Sequence, residues 1–291
     1  MFRGLSNNML YHRPMIDDAA HATPADPTWS DPALASRFVD DAYATVKGRV
    51  RTHVLHHQLL EHLPPAPAAV LDVGGGASHQ SFPLAAAGHN ITVLDPSAAM
   101  LDQARTRLAN LPAEAQARAT LLQSAGEDAA AATAGRRFDA VLCHGVLGYL
   151  ADPSPLIAQL CACTKPGGIV SIMTGNAATQ AIAPALRRRW SDALAAFDAP
   201  TADIPGLGVR GRGDTVDGLG ALLQAHGVET ERWYGTWTFV DWLAFGGTPL
   251  DDADDAEVAA IAAVELEASQ RDPYRQVSRA FHLIGRKTAR D

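Results

Sequence analysis

Cysteine is scarce in this chain: three among 291 residues, Cys143, Cys161 and Cys163. They cannot supply a disulfide framework, and no C-x-x-C pair offers a structural zinc site. A reducing, cytoplasmic setting is the expectation. No run of about 20 apolar residues is present, which excludes a membrane-spanning helix. The stretch MFRGLSNNMLYHRPMIDD has no apolar core segment and does not read as a secretory signal. Positive charge is also short. The formal net charge is -8, so the surface as a whole does not attract nucleic acid, although a local basic groove stays open. No internal repeat is visible. What remains is an ordinary globular composition, 47% hydrophobic and 19% charged, which argues against global disorder.

Residues 1–35, rich in Pro, Asp and Thr, carry no hydrophobic period and read as a mobile arm. From Ser36, apolar residues recur at three- and four-residue steps as far as Leu63, the pattern of one helix or of two split at Gly48. Short apolar runs then alternate with helical stretches. Strands are expected at Ala69–Val73, Ile91–Leu94, Leu121–Gln123, Phe138–Cys143 and Ile169–Met173. Helices are expected at 78–87, from Ser97 to Leu108, at 129–134 and at 155–164. This alternation predicts a parallel α/β sheet with helices on both faces. Beyond it come a helix over 180–198, a Gly/Pro-rich loop over 200–213 and a helix from Val216 to His226 closed by Gly227. A strand over Glu229–Val240, a helix over 256–270 and a last strand over Ala280–Gly285 complete the pattern. The acidic run Asp251–Asp255 reads as a helix N-terminus and not as a calcium loop, because the spacing of an EF-hand is missing.

The strongest local signal is Val70-Leu71-Asp72-Val73-Gly74-Gly75-Gly76, a strand running straight into three glycines before a helix. Glycine there lets a ligand approach the backbone. Asp95 ends the next strand, 21 positions after Gly74, the spacing at which an acid meets ribose hydroxyls. A dinucleotide site needs G-x-G-x-x-G, and here the third glycine is His79. That argues against a pyrophosphate. S-adenosylmethionine has none, and its tail and ribose suit Asp72 and Asp95.

Together, VLDVGGG, ITVLDPSAAMLDQA, SAGED, FDAVLCHGVLGYLADP and KPGGIVSIM resemble the successive motifs of class I S-adenosylmethionine-dependent methyltransferases. YATVKGRVR, MTGNA, WTFVDWL, VELEASQRDPY and SRAFHLIGRK narrow the resemblance to the tRNA 5-carboxymethoxyuridine methyltransferase family, over about residues 40–289. The resemblance implies a Rossmann-like, seven-stranded sheet with its last strand antiparallel and an N-terminal helical extension. It implies one methyltransferase domain over 36–291, with a substrate-side insertion at about 177–215. It carries the family's cofactor contacts onto Arg51, Gly74, Gly75, Asp95, Gly126, Glu127 and His144. The chain departs from the family at Gly126-Glu127, where Ala-Gln is usual, at Gly148-Tyr149, near which a tryptophan is usual, and at GVRGRGDT, which replaces a lysine-rich segment with Arg210 and Arg212 alone.

Each candidate has a plainer alternative. Gly74, Gly75 and Gly76 could form only a turn, but fewer glycines would suffice for that. Asp95 could be a helix N-terminal acid, and Asp72 a cap for a neighbouring amide. Gly126-Glu127 fits the adenine side or a solvated turn. Arg51 fits a bidentate clamp on the methionyl carboxylate or a surface position. His144, after the fourth strand, fits cofactor or substrate contact. It is also the first candidate base if the acceptor is a hydroxyl or an amine. An acceptor carboxylate needs no base, only a cationic cradle, for which Arg279 is the candidate. Arg187–Arg189 read as a solvated helix face, and His53, His56, His57 and His62 as helix-surface residues without a metal. The indole rings of Trp233, Trp237 and Trp242 read as packing. The expected function is methyl transfer from S-adenosylmethionine to a carboxylate on a wobble uridine of tRNA. A small-molecule O-, N- or C-methyltransferase, including one acting on an acidic small molecule, is the alternative. A non-catalytic S-adenosylmethionine-binding module and a nicotinamide-dependent oxidoreductase stand further off.

Overall fold

A computed structural model describes residues 43–199, 201–204, 209–245, 250 and 253–289. The expected arm at 1–35 and the acidic residues 251 and 252 lie outside the described residues. The first helix lying wholly within the described residues, α1, spans Val46–Leu60 and is capped by the Thr45 side chain, which accepts from the Gly48 amide. Gly48 lies inside α1, so it does not divide that stretch. Strand β1 (Ala69–Val73) follows, then α2 (Ser81–Ala86), β2 (Asn90–Asp95) and α3 (Ala98–Ala109). A short α4 (Ala113–Gln116), unexpected from the sequence, leads into β3 (Ala119–Gln123). Then come α5 (Ala129–Ala132), β4 (Phe138–His144), α6 (Ser154–Ala162) and β5 (Thr164–Gly175).

The main sheet has seven strands in the order β3-β2-β1-β4-β5-β9-β8. Strands β1 to β5 pair in parallel, while β9 (Ala280–Lys287) runs antiparallel to both β5 and β8 (Val228–Thr236). Along β1, Leu71 and Val73 enter the apolar layer on one face, and Val70 enters the layer on the other. Asp72 shares the face of Val70. The order reverses between β1 and β4, and in such sheets the crevice beyond the carboxyl ends of those strands takes the ligand.

The remaining chain differs more from its sequence pattern. The expected helix over 180–198 is two helices, α7 (Ile182–Leu186) and α8 (Trp190–Ala195). The turn between them places Arg188 at φ +59°. The stretch read as loop holds an antiparallel pair, β6 (Thr201–Ile204) with β7 (Val209–Arg212); Pro205, Gly206 and Gly208 fall between the two strands, and Gly211 lies within β7. Lys165-Pro166-Gly167-Gly168 does not precede β5 but lies within it, where the register against β4 shifts. Helix α9 (Val216–Gln224) is as expected, with Gly227 at φ +73° after it. Strand β8 stops at Thr236 and not at Val240. Trp237 turns out of it at φ +60°, and α10 (Phe239–Phe245) begins. The last helix, α11 (Asp255–Ala268), is capped by Asp254, whose carboxylate accepts from the Glu257 amide at 2.8 Å. It packs on α1 through Val258 and Ala262 against Val46, Val50 and Val54. The three cysteines are buried and unbridged. No described helix is long and apolar enough to cross a membrane.

Candidate active site

The glycine loop begins where β1 ends. Gly74 and Gly76 take φ of +68° and +52°, the left-handed region that favours glycine. A Cβ on Gly74 would clash with Val146 Cγ2, so the loop after β4 lies directly against the loop after β1. A Cβ on Gly75 would meet Asp72 Oδ2 at 2.7 Å. Ser78, not a glycine, is nevertheless held at φ +62°.

Asp95 ties this loop to the second strand. Its Oδ2 accepts from the Gly76 amide and its Oδ1 from the Ser97 amide, both at 2.9 Å. Each carboxylate oxygen keeps a second lone pair. The helix-terminus role and a ribose role therefore coexist. Burial raises the Asp95 pKa, opposed by those two hydrogen bonds. Asp72, beneath Gly75, is pushed up to about 6, chiefly by burial and further by the charge of Asp95.

Four buried polar atoms around the crevice have no hydrogen-bond partner among the described residues: Arg51 Nε, Ser78 Oγ, His79 Nδ1 and His144 Nδ1. They come from α1, the glycine loop and the end of β4. The Arg51 guanidinium lies 4.6 Å from the Tyr43 ring centroid, and Tyr43 stacks on His79 at 3.8 Å. Burial, helped by the Arg51 charge, pushes His144 down to about 3; burial with Arg107 and Arg51 does the same to His79. Both imidazoles are neutral at physiological pH. Buried polar groups without partners are uncommon in native folds. A glycine loop with two acids, a guanidinium and unpartnered imidazole nitrogens around it fits a small zwitterionic nucleoside such as S-adenosylmethionine.

A second cluster lies beside the first. The Trp237 ring has Lys47 Nζ at 4.7 Å and the Arg51 guanidinium at 5.7 Å, and its indole N–H donates to the Lys47 carbonyl at 3.1 Å. Lys47 is ion-paired with the buried Asp241, and Arg279 Nη1 lies 3.5 Å from the same carboxylate. Burial lowers Lys47 to about 7, with the charges of Arg279 and Arg187 adding to the effect. Glu265, also buried, accepts from the Thr238 and Val240 amides at 2.9 and 2.7 Å and so holds the start of α10. Lys47, Arg51 and Arg279 thus share one neighbourhood with the Asp241 carboxylate, and the charge of Glu265 also acts on Lys47.

The structure sets Asp72 of β1 and Asp95 of β2 against the loop of Gly74, Gly75 and Gly76. It sets His144 and Arg51 beside that loop, and Arg279 in the neighbouring cluster. Gly126 serves packing as well, since a Cβ there would meet Leu156 Cδ1 at 2.6 Å and Val73 Cγ1 at 2.8 Å. Glu127 is the middle residue of a short turn over Gly126–Asp128 and is exposed. The arginine run sits in the α7–α8 turn and not on a helix face; Arg187 is exposed yet acts on Lys47 and Arg279. His62 is not a free surface residue, since it bonds Glu231 and the Tyr234 hydroxyl, each at 2.7 Å. Sequence reasoning missed Lys47, Asp241 and the true place of Trp237. Lys47 stands in KGRVR and the other two in WTFVDWL, where a charged residue inside an apolar segment was the available signal.

Strand order, the antiparallel β9 and the crevice at the order reversal define a class I, Rossmann-like methyltransferase fold. The CcbJ methyltransferase from Streptomyces caelestis shares it, with a TM-score of 0.55 at 17% identity over 89% of this chain and all of that one. Residues 71–170, from β1 into β5, match the family model of a methyltransferase domain. The tRNA 5-carboxymethoxyuridine methyltransferase of Escherichia coli (strain K12) is 33% identical over 150 residues, half of this chain and 55% of that protein. The ubiquinone biosynthesis O-methyltransferase of Xanthomonas axonopodis pv. citri (strain 306) is 35% identical over 138 residues, 46% of this chain and 56% of that protein. The matches therefore span little more than half the length of these relatives.

Proposed function

We propose that the protein is an S-adenosylmethionine-dependent methyltransferase whose acceptor is a carboxylate. The observation that carries this reading is the pairing of two adjacent sites. One is a glycine cradle with orphaned polar atoms that suit the donor. The other is the Lys47–Arg279 cluster, rich in cationic donors, that suits an anion. The bound donor supplies a methyl group already activated by its sulfonium. Gly74–Gly76 give room for its tail, Arg51 grips the tail carboxylate, Asp95 takes the ribose, and Gly126-Glu127 flank the adenine. Methyl transfer is an in-line displacement, so these residues act by position and by excluding water. A carboxylate acceptor is its own nucleophile at neutral pH, and Arg279 with Lys47 has only to hold it. His144, neutral and half-buried, is then a contact residue and not a required base.

The 33% identity to a tRNA methyltransferase supports a wobble-uridine carboxylate as that acceptor. One observation favours the second reading, an acidic small molecule. Arg212, in the segment that replaces the family's lysine-rich stretch, is ion-paired with the buried Asp214, and the chain is acidic overall. Incubation with labelled S-adenosylmethionine and carboxymethoxyuridine-bearing tRNA separates the two. The proposal expects base-labile label in the RNA, lost after nuclease treatment. Label confined to small acids would replace the tRNA reading with the second one, and label in neither would overturn the carboxylate acceptor.

A further inference from the structure

We infer that a directed chain of hydrogen bonds, from the Gly235 carbonyl through Gln58, His282 and Ser171, fixes His144 as the Nε2–H tautomer and presents its bare Nδ1 to the ligand. The role of Nδ1 as a ligand contact rests on the function proposed above, whereas the tautomer does not.

The direction follows from atoms that can play only one part. The Gly235 carbonyl on β8 can only accept, so the atom of Gln58 facing it at 3.3 Å is the amide nitrogen. The Gln58 oxygen is thereby turned to His282 Nδ1 at 2.8 Å, and it too can only accept. His282 Nδ1 therefore carries the hydrogen. His282 is wholly buried and held neutral by that burial, with His144 and His62 adding to the effect. Its Nε2 is consequently bare and faces Ser171 Oγ at 2.7 Å. Ser171 has one hydrogen, and it goes to His282. Its oxygen must then accept from the remaining neighbour, His144 Nε2, at 2.8 Å. A neutral imidazole has one N–H, so His144 Nδ1 is left as an acceptor. That is the atom found buried without a partner.

The four side chains come from α1, β4, β5 and β9, and the edge strand β8 supplies the carbonyl. Gln58 and His282 are 224 positions apart in the chain. His144 ends β4, two residues before Val146, the residue pressed against Gly74. A bare Nδ1 there accepts from an N–H or O–H of the ligand and repels a carbonyl or carboxylate oxygen. Ser171, His282 and Gln58 are positioning residues that act on ligand choice through His144.

Nitrogen-15 imidazole spectra of the protein without added ligand test the chain directly. The expected result is a protonated Nε2 and a bare Nδ1 on His144. Ser171→Ala, which cuts the chain at its middle, and Gln58→Leu, which removes its start far from His144, should each replace the single tautomer by a mixture. Both should weaken S-adenosylhomocysteine binding about tenfold, the scale of one lost hydrogen bond. A protonated Nδ1 in the unaltered protein overturns the inference, as does an unchanged tautomer in a folded Ser171→Ala protein. Should either variant fail to fold, the spectrum of the unaltered protein decides alone. A correct tautomer combined with no S-adenosylhomocysteine binding would leave the chain standing and remove the proposed function instead.

Discussion

The two halves of the central sheet are built on different logic. Strands β3, β2, β1 and β4 are parallel, and the cradle at their carboxyl ends comes from short, contiguous segments. Asp72 to Asp95 supply the glycines and both acids within 24 residues. Strands β5, β9 and β8 form the other half, and polar groups there meet across long separations. Lys47 and Asp241 are 194 positions apart, and Gln58 and Gly235 are 177 apart. The first half recognises a fixed ligand, and its geometry is written locally. In the second half, α1, α10 and β9 assemble residues distant in sequence only once the chain has folded.

Substitutions should separate the halves. The largest effect belongs to Asp95→Ala, which leaves the Gly76 and Ser97 amides without their charged acceptor. Calorimetric titration should show S-adenosylhomocysteine affinity lower by about 100-fold. Arg279→Ala comes next. It should lower kcat/KM for an acidic acceptor about 30-fold while leaving S-adenosylhomocysteine affinity within about twofold. Equal losses in both quantities would merge the two halves into one site.

Asp72→Asn should be smaller and depend on pH. Burial raises the folded-state pKa from 3.8 to about 6. Between those values the folded protein keeps a proton that the unfolded chain releases, so this carboxyl costs stability as pH rises through the window, and the full cost persists above it. Without cofactor, the amide variant should be more stable than the parent at pH 7.5 by on the order of 1–2 kcal/mol. Thermal melts should show the gain shrinking as pH falls from about 6 towards 4. The smallest effect is expected at Arg105→Ala. Its ion pair with Asp102 is exposed on α3, and its loss should change stability by less than about 0.5 kcal/mol.

What could be read from the sequence follows the same division. The five parallel strands, the glycine loop and Asp95 were legible because each is a short apolar run ending in residues with one conformational or chemical use. The β6–β7 pair was not, because Pro and Gly mark a chain reversal without telling whether its flanks pair. The exit of Trp237 from β8 was hidden by the alternation of Trp233, Gly235, Trp237 and Phe239, which continues the strand pattern past its end. Arg279 was legible as a cation. Its partner Asp241 was not, because WTFVDWL reads as an apolar segment and the pairing joins α10 to the residue just before β9. His282 was noticed only as a residue of the last strand. Its link to His144 through Ser171 required the register of β4, β5 and β9.

The central claim is that the turn after β1, with Asp95, holds S-adenosylmethionine or its demethylated product. Isothermal titration of the unaltered protein with S-adenosylhomocysteine tests it most directly. The account predicts saturable binding at one site per chain and no comparable binding of NAD. An absence of binding at millimolar ligand, or saturable binding of NAD in its place, would contradict it.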